Sequence, residues 1–280
     1  MKNGACPYPS DNPQVYANRA WVNLSKRNLI MGYGPCIFND KHGLILPWGK
    51  LRGMVQLDNV TVSYGKSTII RNVSFTVEEH ERVVLYGKSG SGKSTVLITI
   101  VGAHIPQSGA VYFNGTVVNR KSVHAVRRSV AFIGQEPLLG AEKIRDALLL
   151  PFTYRANRGK APSESRINET LENLQLEHGI LDKDASQVSG GEKQRIAVAR
   201  ALLLDKRLFL LDEVTSALDI ESKRAVLQLF ERAGYTIISV SHDPDWFQIC
   251  SRFIKIENGE ITRISEKPDA SMYAVLGEEG

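Results

Sequence analysis

Nowhere in its 280 residues does the sequence hold a run of about 20 apolar residues, the length a helix needs to cross a bilayer. If the chain works at a membrane, another polypeptide is expected to hold it there. Residues 1–10 carry one lysine and no apolar centre, so no secretory leader is expected. Cysteine is scarce. Cys6, Cys36 and Cys250 are odd in number and far apart, with no CxxC pair or Cys/His cluster, which argues against a zinc site and fits reduced thiols. Excess charge is also missing from most of the chain. Of 35 basic and 30 acidic residues, seven and two respectively fall in residues 1–54, so the net charge of +5 resides there and the remaining 28 of each sign balance. A folded part without basic excess lacks the electrostatic footprint of a nucleic-acid binder, and no nucleic-acid partner is expected. Internal repeats and low-complexity tracts are absent as well.

Two zones are present. Residues 1–53 are rich in Asn, Gly, Pro and Tyr and lack periodic runs, so a poorly structured basic extension is expected. Its Trp21 and Trp48 fit either contact with an anionic membrane surface or, as expected here, a solvated segment. From Met54 the texture changes. Residues 55–62 alternate apolar and polar with one slip at Asp58-Asn59, as a half-buried strand does, and 73–77 repeat the pattern. Arg82-Val83-Val84-Leu85-Tyr86 reads as a buried strand entering a turn at Gly87. A helix is expected over 93–101, strands near 110–113 and 130–133, and mainly helix over 141–180 with a break at 155–162. A helix at 192–204, a strand at 208–211, a helix at 220–233, a strand at 236–240 and a strand pair at 253–256 and 260–264 follow. Strands alternating with helices imply a mainly parallel sheet covered on both faces, an α/β fold. The expected domain spans 54–265, followed by a tail at 266–280.

The most specific local pattern is Gly87-Lys88-Ser89-Gly90-Ser91-Gly92-Lys93-Ser94, which fits G-x-x-x-x-G-K-[ST] at every fixed position between a strand and a helix. The glycines let the backbone curl so that successive N–H groups face phosphate oxygens, and the next helix adds its positive end. Lys93 then reaches the β- and γ-phosphates, and the Ser94 hydroxyl can ligate Mg²⁺. This pattern alone does not separate kinases, GTPases, motors and transporters.

The second half of the chain does. Val188-Ser189-Gly190-Gly191-Glu192-Lys193-Gln194-Arg195 resembles the signature of the ABC ATPase family. Leu210-Leu211-Asp212-Glu213 and Ser216-Ala217-Leu218-Asp219 follow in that family's order. Gln135, in Ile133-Gly134-Gln135-Glu136-Pro137, looks like its Q-loop. His242, in Ser239-Val240-Ser241-His242-Asp243, looks like its switch histidine, and Tyr64 sits where the family stacks an aromatic on adenine. The resemblance covers about residues 54–265. It implies a P-loop fold of ABC type, with a mainly parallel core sheet, an antiparallel β part and a helical subdomain at about 136–188.

The resemblance also assigns roles. ATP would be held by Tyr64, Gly87, Ser89, Gly90, Gly92, Lys93, Ser94 and Thr95, and Mg²⁺ by Ser94, Gln135 and Asp212. An ionised Asp212 at the end of a buried strand needs a cation or hydrogen bonds in any case. Glu213 would polarise the attacking water, with Gln135 and His242 completing the catalytic set. Ser189, Gly190 and Gly191 would face the γ-phosphate held by a second subunit, with Asp219 at the seam, so a head-to-tail dimer (expected to be a homodimer) sandwiches two ATPs. Glu192 stands where the family most often has Gln, and Val214 where it usually has proline, which leaves that loop freer. Neither change removes a group the chemistry needs, so an active ATPase is expected rather than a non-hydrolysing regulatory binder.

The 53 residues between Gln135 and Ser189 suffice for the subdomain through which transporter ATPases engage a permease. Coiled-coil insertions of the DNA-maintenance relatives would be far longer, and translation-factor relatives generally carry two cassettes. The expected protein is the ATPase subunit of an ABC transporter, on the cytoplasmic face of the membrane, with its permease on a separate chain. Residues 144–152, Ile-Arg-Asp-Ala-Leu-Leu-Leu-Pro-Phe, are similar to stand-alone ATPases of iron- or metal-efflux systems. The alternative is a soluble ABC ATPase acting on a nucleic-acid or protein complex.

Overall fold

The computed structural model describes residues 53–232, 234–268 and 272, together with the backbone of four short strands nearer the amino terminus. The chain divides into two units, residues 1–52 and 53–280. In the first, β1 (Ala20–Ser25) pairs antiparallel with β2 (Asn28–Tyr33), and β3 (Cys36–Ile37) with β4 (Leu46–Pro47). Otherwise the expected basic extension lies outside the described residues, as does the tail beyond Pro268 apart from Met272.

The second unit begins with β5 (Val55–Tyr64) and β6 (Ser67–Val77), an antiparallel hairpin joined by β8 (Ser108–Phe113) and β9 (Thr116–Val117) in the order β6-β5-β8-β9. The alternation slip at Asp58-Asn59 is a bulge: Asn59 takes a left-handed φ of 49° and the register against β6 and β8 shifts there. The extra residue restores Val60 and Val62 to the buried face.

The larger sheet contains β7 (Arg82–Tyr86), β10 (Val130–Ile133), β11 (Leu208–Asp212), β12 (Thr236–Val240), β13 (Arg252–Glu257) and β14 (Glu260–Ser265). Their order is β10-β11-β12-β7-β13-β14, with every pair parallel except the last. Because successive side chains alternate between faces, the unbroken apolar runs of β7 and β11 feed two cores. Val83, Leu85, Leu208 and Leu210 enter one, shared with the antiparallel sheet and with α1 (Lys93–Ile100). Val84, Tyr86, Phe209 and Leu211 enter the other, which the remaining helices cover. Those helices include α3 (Ile144–Thr153), α4 (Glu164–Asn173), α5 (Gly190–Leu203), α6 (Ile220–Arg232) and α7 (Pro244–Gln248). The short α2 (Val123–Ser129) leads into β10. Neither α2 nor α7 was expected from the sequence, since each is too short to display a period. Among the described residues no helix is long and apolar enough to cross a membrane.

Candidate functional site

Four neighbouring parallel strands, β10, β11, β12 and β7, end on the same side, and a residue singled out by a sequence motif follows each carboxyl end. Gly87 follows β7, Glu213 follows β11, Gln135 lies two residues past β10, and His242 two past β12. Carboxyl ends of parallel strands are where open α/β sheets place their ligands.

After β7 the chain curls through Gly87 (φ 139°), Gly90 (φ 73°) and Gly92 (φ 99°). A Cβ on Gly87 would lie 2.1 Å from the Ile256 carbonyl oxygen, and one on Gly92 would lie 2.9 Å from that of Ile69. Both glycines are therefore required by close approach as well as by φ. Lys93 is buried, and its ammonium folds back to donate to the carbonyls of Gly87 (2.7 Å) and Lys88 (2.8 Å). Ser94, in the first turn of α1, is exposed; Thr95 is buried, and its carbonyl accepts from the Thr99 hydroxyl at 2.6 Å.

Asp212 closes β11 and is only 6% exposed. Burial, reinforced by the neighbouring Glu213 charge, raises its carboxyl above the ordinary value of 3.8, while the Ser94 hydroxyl and Lys93 pull the other way. Its Oδ1 has no hydrogen-bond partner. A buried carboxylate oxygen without a donor, beside a serine hydroxyl, is the donor set a hard cation takes. Among the described residues there is no cluster of three or more His, Cys, Asp or Glu fit to hold a metal ion.

Glu213 has a left-handed φ of 51°, with its N–H bonded to the Val240 carbonyl at 2.9 Å. A left-handed non-glycine residue costs on the order of 1–3 kcal/mol and persists where its surroundings hold it. Here the Ser216 N–H and hydroxyl both return to the Glu213 carbonyl, and Val214 is buried in the core, anchoring the turn without a proline. The Glu213 carboxylate accepts from Gln135 Nε2 at 2.9 Å and lies 3.8 Å from His242 Nε2. The three residues named from separate motifs therefore meet, beside a cavity of about 270 Å³ lined by Glu213, Ser216, Leu218, Lys223, His242 and Asp243, among others.

The signature has its own setting. Ser189 caps α5 through a reciprocal pair: its hydroxyl accepts from the Glu192 N–H (3.2 Å), and the Glu192 carboxylate accepts from the Ser189 N–H (2.7 Å). Glu192 thus serves as the capping partner, and the Ser189 N–H holds its carboxyl below the usual range. Gly190 is exposed, whereas a Cβ on Gly191 would approach the Ala217 carbonyl to 3.1 Å. Asp219 caps α6, accepting from the Ser222 N–H (2.9 Å) and hydroxyl (2.7 Å), which lowers its carboxyl pKa.

Tyr64, at the end of β5, is 46% exposed. Its ring stands edge-on to His104 with centroids 4.7 Å apart, and its hydroxyl bonds the imidazole. His104 is not singled out by any motif. Arg200 of α5 is a second such residue: its guanidinium donates to the carbonyls of Leu138 (3.0 Å) and Leu139 (2.8 Å), just beyond Gln135. Lys223 is a further residue without a motif, visible only through the cavity it shares with Glu213, His242 and Asp243.

The model of the family described as "ABC transporter" matches residues 70–216, just over half the chain. The chain belongs to the ABC transporter family. This ABC chain is 36% identical over 236 residues to the methionine import ATP-binding protein MetN of Clostridioides difficile, across 80% of its own length and 72% of that protein. It is 33% identical to the macrolide export ATP-binding/permease protein MacB of Campylobacter jejuni, of which it spans 36%. A solved dimer of the ATP-binding cassette MJ0796 in a post-hydrolysis state, bound to ADP and Pi, superposes with a TM-score of 0.67 at 30% identity. That match covers 77% of this chain and 100% of the other. The fold is the α/β P-loop cassette expected, and the chain is an ABC-type ATPase that takes ATP.

Proposed function

We propose that the chain is the ATP-binding and ATP-hydrolysing subunit of a membrane transporter, driving a permease on a separate polypeptide through ATP-dependent dimerisation. The observation that carries this reading is the convergence of Gln135, Glu213 and His242 over adjacent strand ends beside the Lys93 cradle.

In this reading the Lys93 ammonium exchanges its two loop carbonyls for the β- and γ-phosphate oxygens. The N–H groups of 87–95 surround the phosphates, with Ser89 among them, and the open face of Tyr64 stacks on adenine. Ser94, Asp212 and Gln135 would hold Mg²⁺, which when bound would neutralise phosphate charge. Glu213 takes up the proton of the attacking water as general base, Gln135 keeps its carboxylate aimed, and His242 donates a hydrogen bond to the γ-phosphate. Ser189, Gly190 and Gly191 offer the amino end of α5 as a second anion site, for the ATP held by another copy of the chain. Asp219 lies at the seam between the copies.

Placement on the cytoplasmic face of the membrane follows from a permease partner. The exposed apolar side chains of Leu138 (84%) and Tyr154 (59%), flanking α3, are surface such a partner would cover. The narrower cargo proposal, metal or iron export, rests on the resemblance of residues 144–152 alone. The deciding experiment is to isolate Glu213→Gln protein from detergent-solubilised membranes and identify its companions by mass spectrometry. A stoichiometric multi-span partner supports the transporter reading. Recovery without one, with nucleic-acid or soluble protein companions, transfers the assignment to a soluble ABC ATPase.

A further inference from the structure

His242 stands in a three-residue connection, Ser241-His242-Asp243, between β12 and α7. The sheet fixes its entry. At its exit the Asp243 carbonyl accepts from the Phe247 N–H at 3.2 Å, and the N–H and carboxylate of Asp243 make three further contacts. The Asp243 N–H donates to the Ser241 hydroxyl at 3.1 Å, and its Oδ1 accepts from the Asp245 N–H at 3.0 Å, capping α7. Both bonds are internal to the loop and helix, and α7 is held to the sheet by buried Trp246, whose Nε1 donates to the Ser239 hydroxyl at 2.9 Å. The third contact ties the loop to α6. Asp243 Oδ2 lies 3.0 Å from Lys223 Nζ, an ionic contact rather than an aligned hydrogen bond, and Asp245 Oδ2 lies 3.8 Å from the same ammonium.

Lys223 belongs to the first turn of α6, where its N–H donates to the Asp219 carbonyl at 2.9 Å. The ion pair therefore joins the turn capped by Asp219 to the loop of His242, along the cavity that Glu213 lines. The Lys223 and Asp243 side chains are 24% and 11% exposed, withdrawn enough from water that salt and solvent compete weakly for them. Removing the lysine leaves a largely buried carboxylate without its cation, and the loop must move to rehydrate it. His242, one residue away and 3.8 Å from Glu213, moves with it.

We propose that Lys223 is a positioning residue for hydrolysis: its ion pair with Asp243 ties α6 to the His242 loop and sets His242 against Glu213. The proposal rests on Glu213 and His242 acting on ATP as described above. It predicts an effect on turnover and not on nucleotide capture, because the P-loop and Tyr64 are held by other elements. Displacements of about 1 Å in a reacting group cost up to about 100-fold.

The test is steady-state ATP hydrolysis by the full-length chain with Mg-ATP, for wild type, Lys223→Met, Lys223→Arg, Asp243→Asn and the double variant Lys223→Met/Asp243→Asn. Asparagine keeps the Oδ1 acceptor that caps α7 and removes only the charge. Lys223→Met is expected to lower kcat by about 10-fold or more with KM for ATP within about twofold. Asp243→Asn should match it, the double variant should be no worse than either single, and Lys223→Arg should recover most of the rate. Unchanged kcat in Lys223→Met, a KM that rises as kcat falls, losses that multiply in the double variant, or no recovery with arginine would each overturn the proposal. Should Lys223→Met lose ATP binding by misfolding, Asp243→Asn and Lys223→Arg decide alone. Glu213→Gln run in parallel separates the two readings. If it hydrolyses ATP normally, the underlying assignment fails; if it is inactive while Lys223→Met is fully active, only the tether fails.

Discussion

Asp212→Asn should make the nucleotide-free protein more stable and the enzyme inactive. In metal-free protein, Asp212 places a carboxylate at 6% exposure with Oδ1 unpartnered, and burial raises its carboxyl above 3.8. The folded chain therefore holds this proton more tightly than the unfolded chain does. Stability then falls as pH rises from about the unfolded value through the raised folded one, and the penalty is complete above the latter. Leaving a buried polar group unsatisfied costs about 1–3 kcal/mol, more when it is charged. Asparagine has the same shape, keeps an oxygen for the Ser94 hydroxyl and carries no charge, so it should recover about 2 kcal/mol. For a folded unit of this size each kcal/mol moves Tm by roughly 2–4 °C, giving an upward shift of about 4–8 °C at pH 7 in chelator. The advantage should shrink as pH is lowered toward 4. With saturating Mg-ATP the order should reverse, because ligand binding stabilises wild type by about 2.7 kcal/mol at 100 times Kd and the variant by less. Thermal unfolding followed by circular dichroism, across pH and with or without Mg-ATP, reads all of these quantities. An unchanged or lower Tm for ligand-free Asp212→Asn at pH 7 would refute the view that Asp212 is a strained anion awaiting a cation.

Glu213→Gln retains an acceptor for Gln135 Nε2 while removing the base, so phosphate release should fall by about 10²–10⁴ with ATP still bound and a dimer accumulating. A rate within tenfold of wild type, or a monomer at saturating Mg-ATP by light scattering, would contradict the assigned role and the sandwich respectively. Lys93→Ala removes the buried ammonium of the cradle and should weaken ATP binding by about 10- to 100-fold in a fluorescent-nucleotide titration; unchanged affinity would count against it. Ser189→Ala breaks the capping box of α5 and should cost about 1 kcal/mol in urea unfolding, with Ser189→Thr recovering most of it; equal midpoints for all three proteins would remove the cap from the account.

Much of the fold was legible because its strands are short, apolar and buried on both faces. The runs 82–86, 208–211 and 236–240 needed no alternation to be read, and the structure places them side by side. Even the slip at Asp58-Asn59 marked a real bulge. The P-loop was legible because its geometry demands glycine at fixed spacing: at Gly87 and Gly92 a Cβ would collide with a backbone carbonyl or a β6 side chain. Chemistry of that kind is written in adjacent letters.

What was hidden is whatever joins residues distant along the chain. The capping role of Glu192 lay within three residues of Ser189 and could have been seen as an S-x-x-E box. Nothing local links Lys223 to Asp243, 20 residues on, or Arg200 to the carbonyls of Leu138 and Leu139. An ordinary lysine on a polar helix face has the same sequence surroundings as Lys223. What distinguishes it is the meeting of its ammonium with Asp243, just past β12, in a region where Phe230 of α6 packs edge-on against Trp246 of α7. The candidate site residues are thus marked by motif, whereas contacts such as Lys223–Asp243 and Phe230–Trp246 are not. Phe230→Leu, far from any motif, is therefore expected to loosen α7 beside His242 and lower kcat for ATP, and an unchanged kcat in steady-state hydrolysis would refute that coupling.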